Sequence, residues 1–261
     1  MCTLWHALMQ IIFEVFPISS SGHLLLLEYV GGFASVPPCI YYILHIPMVL
    51  IIGIRGLHHI RLSKDSRKEW FLYGLLMVWY GFCALVGTSV IYFLLHRYID
   101  STKTPLALGF VITALMLLSL LFVKTNDDKQ VTWWRTLCIG LIQAIAFFPG
   151  VSRLASTYVA GRLFGFSAKK SFWFSWWIGL PIMSFGILSG LIDDFSGGYN
   201  TNVAHMFFMQ PCIWFGIIIC TVIAYVGFVC IEYAAKKELL WYFSLYMLIP
   251  IICTLFIGVV K

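Results

Sequence analysis

The chain is a succession of apolar runs separated by short polar stretches, and six of those runs read as helices that cross a bilayer: 39–54, 70–95, 105–123, 171–191, 211–231 and 239–260. A crossing helix takes about 20 apolar residues, so 39–54 is short and the rest are adequate. Two further runs, 4–30 and 136–166, are apolar at both ends but interrupted in the middle. The first interruption reads Phe16-Pro17-Ile18-Ser19-Ser20-Ser21-Gly22-His23, the second Phe148-Pro149-Gly150-Val151-Ser152-Arg153. Proline has no amide proton and clashes with the preceding turn, so a helix running into Pro17 or Pro149 ends or kinks there. Irregular backbone at membrane depth is tolerated only where protein buries it or a wet cavity adjoins it. Each interrupted run is therefore predicted to be a re-entrant helix-break-helix hairpin that returns to the side it entered.

The two breaks share Phe-Pro-x-x-Ser, at Phe16 to Ser20 and Phe148 to Ser152, about half a chain apart. Each half, about 1–130 and 131–261, then holds one hairpin and three spans, and because three is odd the second half enters from the opposite side. The expected architecture is an all-α polytopic membrane protein, a single integral membrane domain over 1–261 with six transmembrane helices and two re-entrant helical hairpins in an inverted repeat. Its site is expected near the midplane, where the breaks meet.

Composition agrees: 61% of the 261 residues are hydrophobic and 11% charged, with a mean hydropathy of +0.92. So few charges leave lipid as the solvent for most of the chain. The formal charge of +6 does not imply nucleic acid, because the basic residues lie in short loops between spans. One side of the expected topology collects Arg55, Arg61, Lys64, Arg67, Lys68, Lys124, Lys129, Arg135, Lys169, Lys170, Lys236 and Lys237, the other only Arg97, Lys103 and Lys261, with Arg153 and Arg162 inside the second hairpin. That separation favours both termini outside. The stretch 1–16 has no basic residue ahead of its apolar part and no small-residue cleavage site after it, so it is expected to stay in the mature fold. The eight cysteines occur singly in apolar runs and read as small hydrophobes.

Ionisable groups inside membrane segments are costly and are functional candidates. Glu14, His23 and Arg153 each adjoin a break. Gln10 lies four residues before Glu14 and so on the same helical face. Ser19, Ser20 and Ser21 offer hydroxyls and a cap for a helix starting near Gly22, whose free amides suit a phosphate. Arg153 brings a planar fork that matches phosphate oxygens, with Ser152 beside it. Carboxylate, imidazole, guanidinium and hydroxyls together are the parts of a phosphoryl-transfer site. A structural alternative stands beside this one: Ser21 and Gly22 as helix-packing residues, and Glu14 with Arg153 as an ion pair joining the halves.

These residues resemble the undecaprenyl-diphosphatase family of bacterial membrane enzymes, also associated with bacitracin resistance. The family's first motif, E-x-x-x-E-F-x-P-[IV]-S-S-[ST]-G-H, is matched by Glu14, Pro17, Ile18, Ser19, Ser20, Ser21, Gly22 and His23. Its second, P-G-x-S-R-S-G-x-T, is matched by Pro149, Gly150, Ser152, Arg153 and Thr157. Gln143 and His45 fall where the family often has Gln and the His of an I-H-x-G segment. The sequence departs from the pattern at Gln10, where the family has a glutamate, at Leu154 and Ala155 in place of Ser-Gly, and at Pro47 in place of glycine.

The resemblance implies hydrolysis of a C55 polyprenyl diphosphate to the monophosphate carrier of peptidoglycan synthesis, assisted by a divalent cation such as magnesium or calcium. It implies a multi-pass protein of the bacterial cytoplasmic membrane with its active site open to the outer face. By the same likeness Ser20 is the expected nucleophile, Glu14 its activator or the metal ligand, and His23 the proton carrier. Arg153 and Ser152 would clamp the diphosphate, with Gln10, Ser19, Ser21, Gly22 and Thr157 around it. The expected partners are the lipid substrate and membrane lipid, and a homodimer is compatible. A polyprenyl-phosphate flippase and a catalytically weakened homologue stay open as alternatives. The type 2 phosphatidic acid phosphatases, echoed by Ser21-Gly22-His23 and Ser152-Arg153, are excluded because Val159 stands where their nucleophilic histidine belongs.

Overall fold

Prolines and glycines decide where the helices stop. A computed structural model of the chain describes residues 2–32, 38–63, 67–101, 105–123, 128–195 and 209–256. The helices are α1 (Cys2–Phe13), α2 (Ser20–Gly31), α3 (Pro38–Ile43), α4 (Ile46–Ser63), α5 (Arg67–Ser101) and α6 (Leu106–Ser119), then α7 (Trp133–Gln143), α8 (Arg153–Leu163), α9 (Ala168–Phe195) and α10 (Pro211–Lys236), and finally the short α11 (Phe243–Tyr246) and α12 (Leu248–Phe256). Short 3₁₀ turns extend α6 through Leu120–Phe122 and α7 through Ala144–Phe147, and Leu240–Tyr242 precedes α11. No strand occurs among the described residues.

Four stretches are long and apolar enough to cross a membrane: Ile40–Arg61, Lys68–Leu94, Ala168–Ile192 and Pro211–Lys236. The outward side chains match a lipid environment, since Phe71, Val78, Phe93, Phe185 and Phe215 are all exposed, and water would not tolerate so large an apolar surface. Inside, Trp176, Tyr158, Phe172 and Phe228 are fully buried and anchor the largest core.

The structure differs from the expected spans in two respects. The short run 39–54 continues to Arg61 but is broken at Leu44 and His45. Pro47 cannot donate to the carbonyl four residues back, so the helix restarts with Val49 bonded to the His45 carbonyl at 3.0 Å. The runs 105–123 and 239–260 appear as shorter apolar helices, Leu106–Phe122 and Leu240–Phe256. The second of these is interrupted at Met247 because Pro250 leaves the Tyr246 carbonyl without its helical donor. The loop residues Lys64, Lys103, Lys124 and Lys261 of the charge count, and residues 257–260 of the last expected span, lie outside the described residues.

Residues 129–165 leave one place and come back to it. The Lys129 amide donates to the Gly165 carbonyl at 3.0 Å, and Asp128 accepts from the Ser167 amide at 2.9 Å and pairs with Lys170 at 2.9 Å. The tip of this loop is the break at 148–152. Packing pairs the halves in a reciprocal way: α1 lies on α10 and α7 on α5, while α2 meets α12 and α8 meets α6. The two breaks touch where side chains vanish. A methyl group on Gly22 would stand 2.7 Å from the Gly150 Cα and 2.8 Å from the Phe110 ring, and Gly150 has φ +89 with the Leu106 carbonyl and Phe110 amide 2.8 Å from any added Cβ. Glycine is required at both positions, by lack of space at the first and by space and backbone conformation at the second.

Candidate active site

α1 unwinds at Glu14, whose amide still reaches the Gln10 carbonyl at 3.1 Å. The chain then turns through Pro17 to Ser19, which sits at φ 68 and ψ 94 and caps α2 by accepting from the Gly22 amide at 3.3 Å. A positive φ is costly for serine; here the cap and the His23 ring, whose Nδ1–H donates to the Ser19 carbonyl at 2.8 Å, hold it in place. In the second break Ser152 caps α8 by accepting from the Ala155 amide at 3.2 Å. Its own amide donates to the Thr113 hydroxyl at 2.9 Å, and that hydroxyl donates to the Gly150 carbonyl at 2.8 Å. Two helices, α2 and α8, therefore begin at the same cavity, with their free amides and positive dipole ends turned toward it.

The cavity holds about 410 Å³ and takes polar lining from both breaks. Glu14 stands at its centre. One carboxylate oxygen accepts from Arg153 Nη2 at 2.9 Å, and the other accepts from the Ser20 hydroxyl at 2.7 Å and from Gln10 Nε2 at 3.2 Å. The Nε2 of His45 lies 3.6 Å from the same oxygen and 3.1 Å from Gln10 Nε2, while its Nδ1–H donates to the Tyr41 carbonyl at 2.9 Å. Arg153 is held by more than charge: its guanidinium lies over the Trp176 ring at 5.6 Å, reaches Met183 Sδ at 3.9 Å and rests against Gly179. Its Nη1 is buried with no acceptor, and the Oε1 of Gln143, whose Nε2 donates to the Thr88 hydroxyl at 3.0 Å, is buried with no donor.

Glu14, Ser20, Arg153, Gln10, Ser19, Ser21 and Ser152 all line the cavity. The other three expected site residues do not. His23 turns away, its ring between Phe13, Phe110 and Tyr246, with the Tyr246 hydroxyl 3.0 Å from Nε2. Gly22 forms the backbone crossing with Gly150. Thr157 bonds back to the Arg153 carbonyl at 2.8 Å within α8 and so fixes the helix that carries the arginine. The imidazole that faces the carboxylate is His45, which sequence reasoning noted only for its place in the family pattern. Its signal was present: an ionisable residue in an apolar run, two positions before a proline. Gly179 carries no signal of its own, since the residue that needs it is 26 positions away in sequence.

The donors do not form a cation site by themselves. Both oxygens of Glu14 are taken, and among the described residues no three His, Cys, Asp or Glu side chains converge. They fit instead a divalent cation carried in by an anionic ligand that brings most of the oxygens.

Fold and site define an all-helical membrane protein whose anion-suited centre is shared between two interrupted helices. The family model for bacitracin resistance protein BacA matches residues 3–252. The chain belongs to that family. It is 27% identical over 259 residues to undecaprenyl-diphosphatase 1 of Shouchella clausii, an alignment covering 93% of this chain and 90% of the relative. It is 30% identical over 185 residues to the undecaprenyl-diphosphatase of Protochlamydia amoebophila, covering 69% and 70% of the two chains. The corresponding enzyme of Aquifex aeolicus is 28% identical over 199 residues, covering 72% and 73%.

Proposed function

We infer that this chain is a membrane hydrolase that cleaves undecaprenyl diphosphate to undecaprenyl phosphate and inorganic phosphate, recycling the lipid carrier of peptidoglycan synthesis and so conferring bacitracin resistance. The observation that carries the reading is the meeting of Glu14 and Ser20 from one break with Arg153 from the other in one cavity. A purely structural ion pair needs no space beside it, whereas Glu14 and Arg153 line a cavity with room for a ligand.

In this reading the diphosphate lies across the starts of α2 and α8, where backbone amides and helix dipoles offset its charge. Arg153 neutralises the oxygens that gain charge as the bond breaks. The Ser20 hydroxyl, already 2.7 Å from Glu14, attacks the terminal phosphorus while the carboxylate takes its proton. The bridging P–O bond breaks and undecaprenyl phosphate leaves; water then attacks the phosphoserine, releasing inorganic phosphate and restoring the Ser20 hydroxyl. His45, 3.6 Å from Glu14, carries the proton onward. A substrate-borne magnesium or calcium would be held by Glu14 with the diphosphate oxygens, and would supply further charge neutralisation.

The reciprocal packing of the halves and the closure of 129–165 on itself support two re-entrant hairpins in an inverted repeat of one domain. α8 runs from the cavity to the basic loop ends in 11 residues, about 16 Å of helix, a length that supports a site near mid-membrane. With the basic loops cytoplasmic, the cavity opens toward the outer face of the cytoplasmic membrane. Phosphate release from a polyprenyl diphosphate by the purified protein is the test. Release by the wild type, lost in Arg153→Ala, is expected; equal release by both would overturn the site assignment.

A further inference from the structure

A second cavity concentrates charge at the other end of the same helices. It holds about 280 Å³ and is lined by Arg55 and His59 of α4, Lys169 and Trp173 of α9, and Glu232 and Lys236 of α10. Arg55 and Lys236 both pair with Glu232, at 2.6 and 2.7 Å, so two cations share one carboxylate. Lys169 adds a third cation with no acidic partner among the described residues, which leaves two positive charges in surplus. Two buried donors also lack an acceptor: Arg55 Nε and the indole N–H of Trp173, a residue only 3% exposed. His59 stacks flat on that indole, 4.6 Å between centroids and 4° between planes, and fixes its orientation.

Unmet buried donors are costly, and uncompensated like charges repel. An oxyanion answers both conditions. The surplus of two charges matches a phosphate monoester, which carries about −1.5 to −2 near neutrality, better than a singly charged diester.

The place fits as well. Arg55 lies nine residues past the start of α4 at Ile46, beside His45, and Lys169 lies ten residues before Gly179, beside Arg153. At 1.5 Å per residue, each helix puts this cavity about 15 Å from the active site, half the thickness of the hydrocarbon core. Lys170, next to Lys169 in the first turn of α9, pairs with Asp128 of the loop where the second hairpin closes. We propose that this cavity is a second, non-catalytic site that binds a phosphate monoester at the basic face of the protein, whether a lipid head group or free phosphate. The proposal stands on this cavity and does not depend on hydrolysis at the first.

The protein in phosphatidylcholine nanodiscs, in an Arg153→Ala background that disables the first site, provides the test. Native mass spectrometry reads retention of phosphatidic acid, a monoester lipid, against phosphatidylglycerol, a diester, and calorimetry reads binding of inorganic phosphate. About tenfold preferential retention of phosphatidic acid is expected, falling to the phosphatidylglycerol level in Lys169→Gln and in Arg55→Gln. Lys169→Gln breaks no ion pair, and by itself leaves phosphate release by the otherwise wild-type protein within twofold. Binding of inorganic phosphate that is lost in Lys169→Gln, without lipid preference, supports the site and makes its ligand the free ion. Equal retention of both lipids together with no phosphate binding, or monoester binding unchanged in Lys169→Gln, overturns it.

Discussion

Gly179→Ala is the most exacting perturbation, because it replaces no proposed reacting group and acts only by displacing one. A Cβ built on Gly179 would overlap Arg153 Nη1 and stand 2.9 Å from its Cζ. Ordinary contacts are longer than this, so the guanidinium must retreat by about 1 Å or more. The Arg153–Glu14 bond is 2.9 Å; such a retreat carries it beyond hydrogen-bond range. A 1 Å misplacement of a positioned group costs about 10²-fold in rate, or about 2.7 kcal/mol of barrier. Stability should change far less, because the gain of about 1 kcal/mol from replacing glycine in a helix offsets much of an overpacking cost of about 1–3 kcal/mol. Gly53→Ala and Gly74→Ala, where an added Cβ meets nothing within 4 Å, serve as controls. Single-turnover phosphate release in detergent micelles, alongside thermal unfolding, is the assay. A folded Gly179→Ala protein with turnover within twofold of wild type would refute the claim that Arg153 acts from this position.

Further outcomes follow from the same geometry. His45→Ala removes the imidazole beside Glu14 and should lower kcat by about 10²-fold with a small change in Tm; undiminished turnover would exclude His45 as proton carrier. His23 should act through the Ser19 carbonyl and not in the cavity, so His23→Asn, which keeps a donor, should retain more activity than His23→Ala, and equal loss in both would contradict this. Chelating divalent cations should slow turnover of the diphosphate yet leave the unfolding midpoint of the substrate-free protein unchanged, since Glu14 is already occupied by Arg153 and Ser20; a calcium-dependent shift in that midpoint would reveal a resident site.

Much of this was legible in the sequence because the signals were local. Pro17 and Pro149 interrupt apolar runs by removing an amide, and the structure shows the helices ending there. Glu14, Ser20 and Arg153 were legible as charged or hydroxylated residues next to those interruptions, and the cavity brings them together. His23 was misplaced for a physical reason: position in the first turn of α2 fixes its depth but not its azimuth, and its Nδ1–H bond to the Ser19 carbonyl turns the ring toward Phe110 and Tyr246. The opposite held for His45, whose role depends on a break at Leu44 that hydropathy alone does not reveal. Pro47 and Pro250 were both visible, yet within continuous apolar sequence a proline shifts a helix register without marking where the chain resumes. Gly22 and Gly179 are needed for what stands opposite them, Gly150 in one case and Arg153 in the other, and such tertiary requirements leave no trace in spacing.

The central claim is that one carboxylate and one guanidinium, from opposite halves of the chain, work as a single unit. A double-mutant cycle on phosphate release, using Glu14→Gln, Arg153→Ala and the pair, measures it directly. Each single change is predicted to lower turnover by about 10³-fold, and the double to be scarcely worse than either, as for groups that act together. Losses that multiply, with the double variant slower than each single by a further factor of about 10³, would show two independent groups and contradict the account.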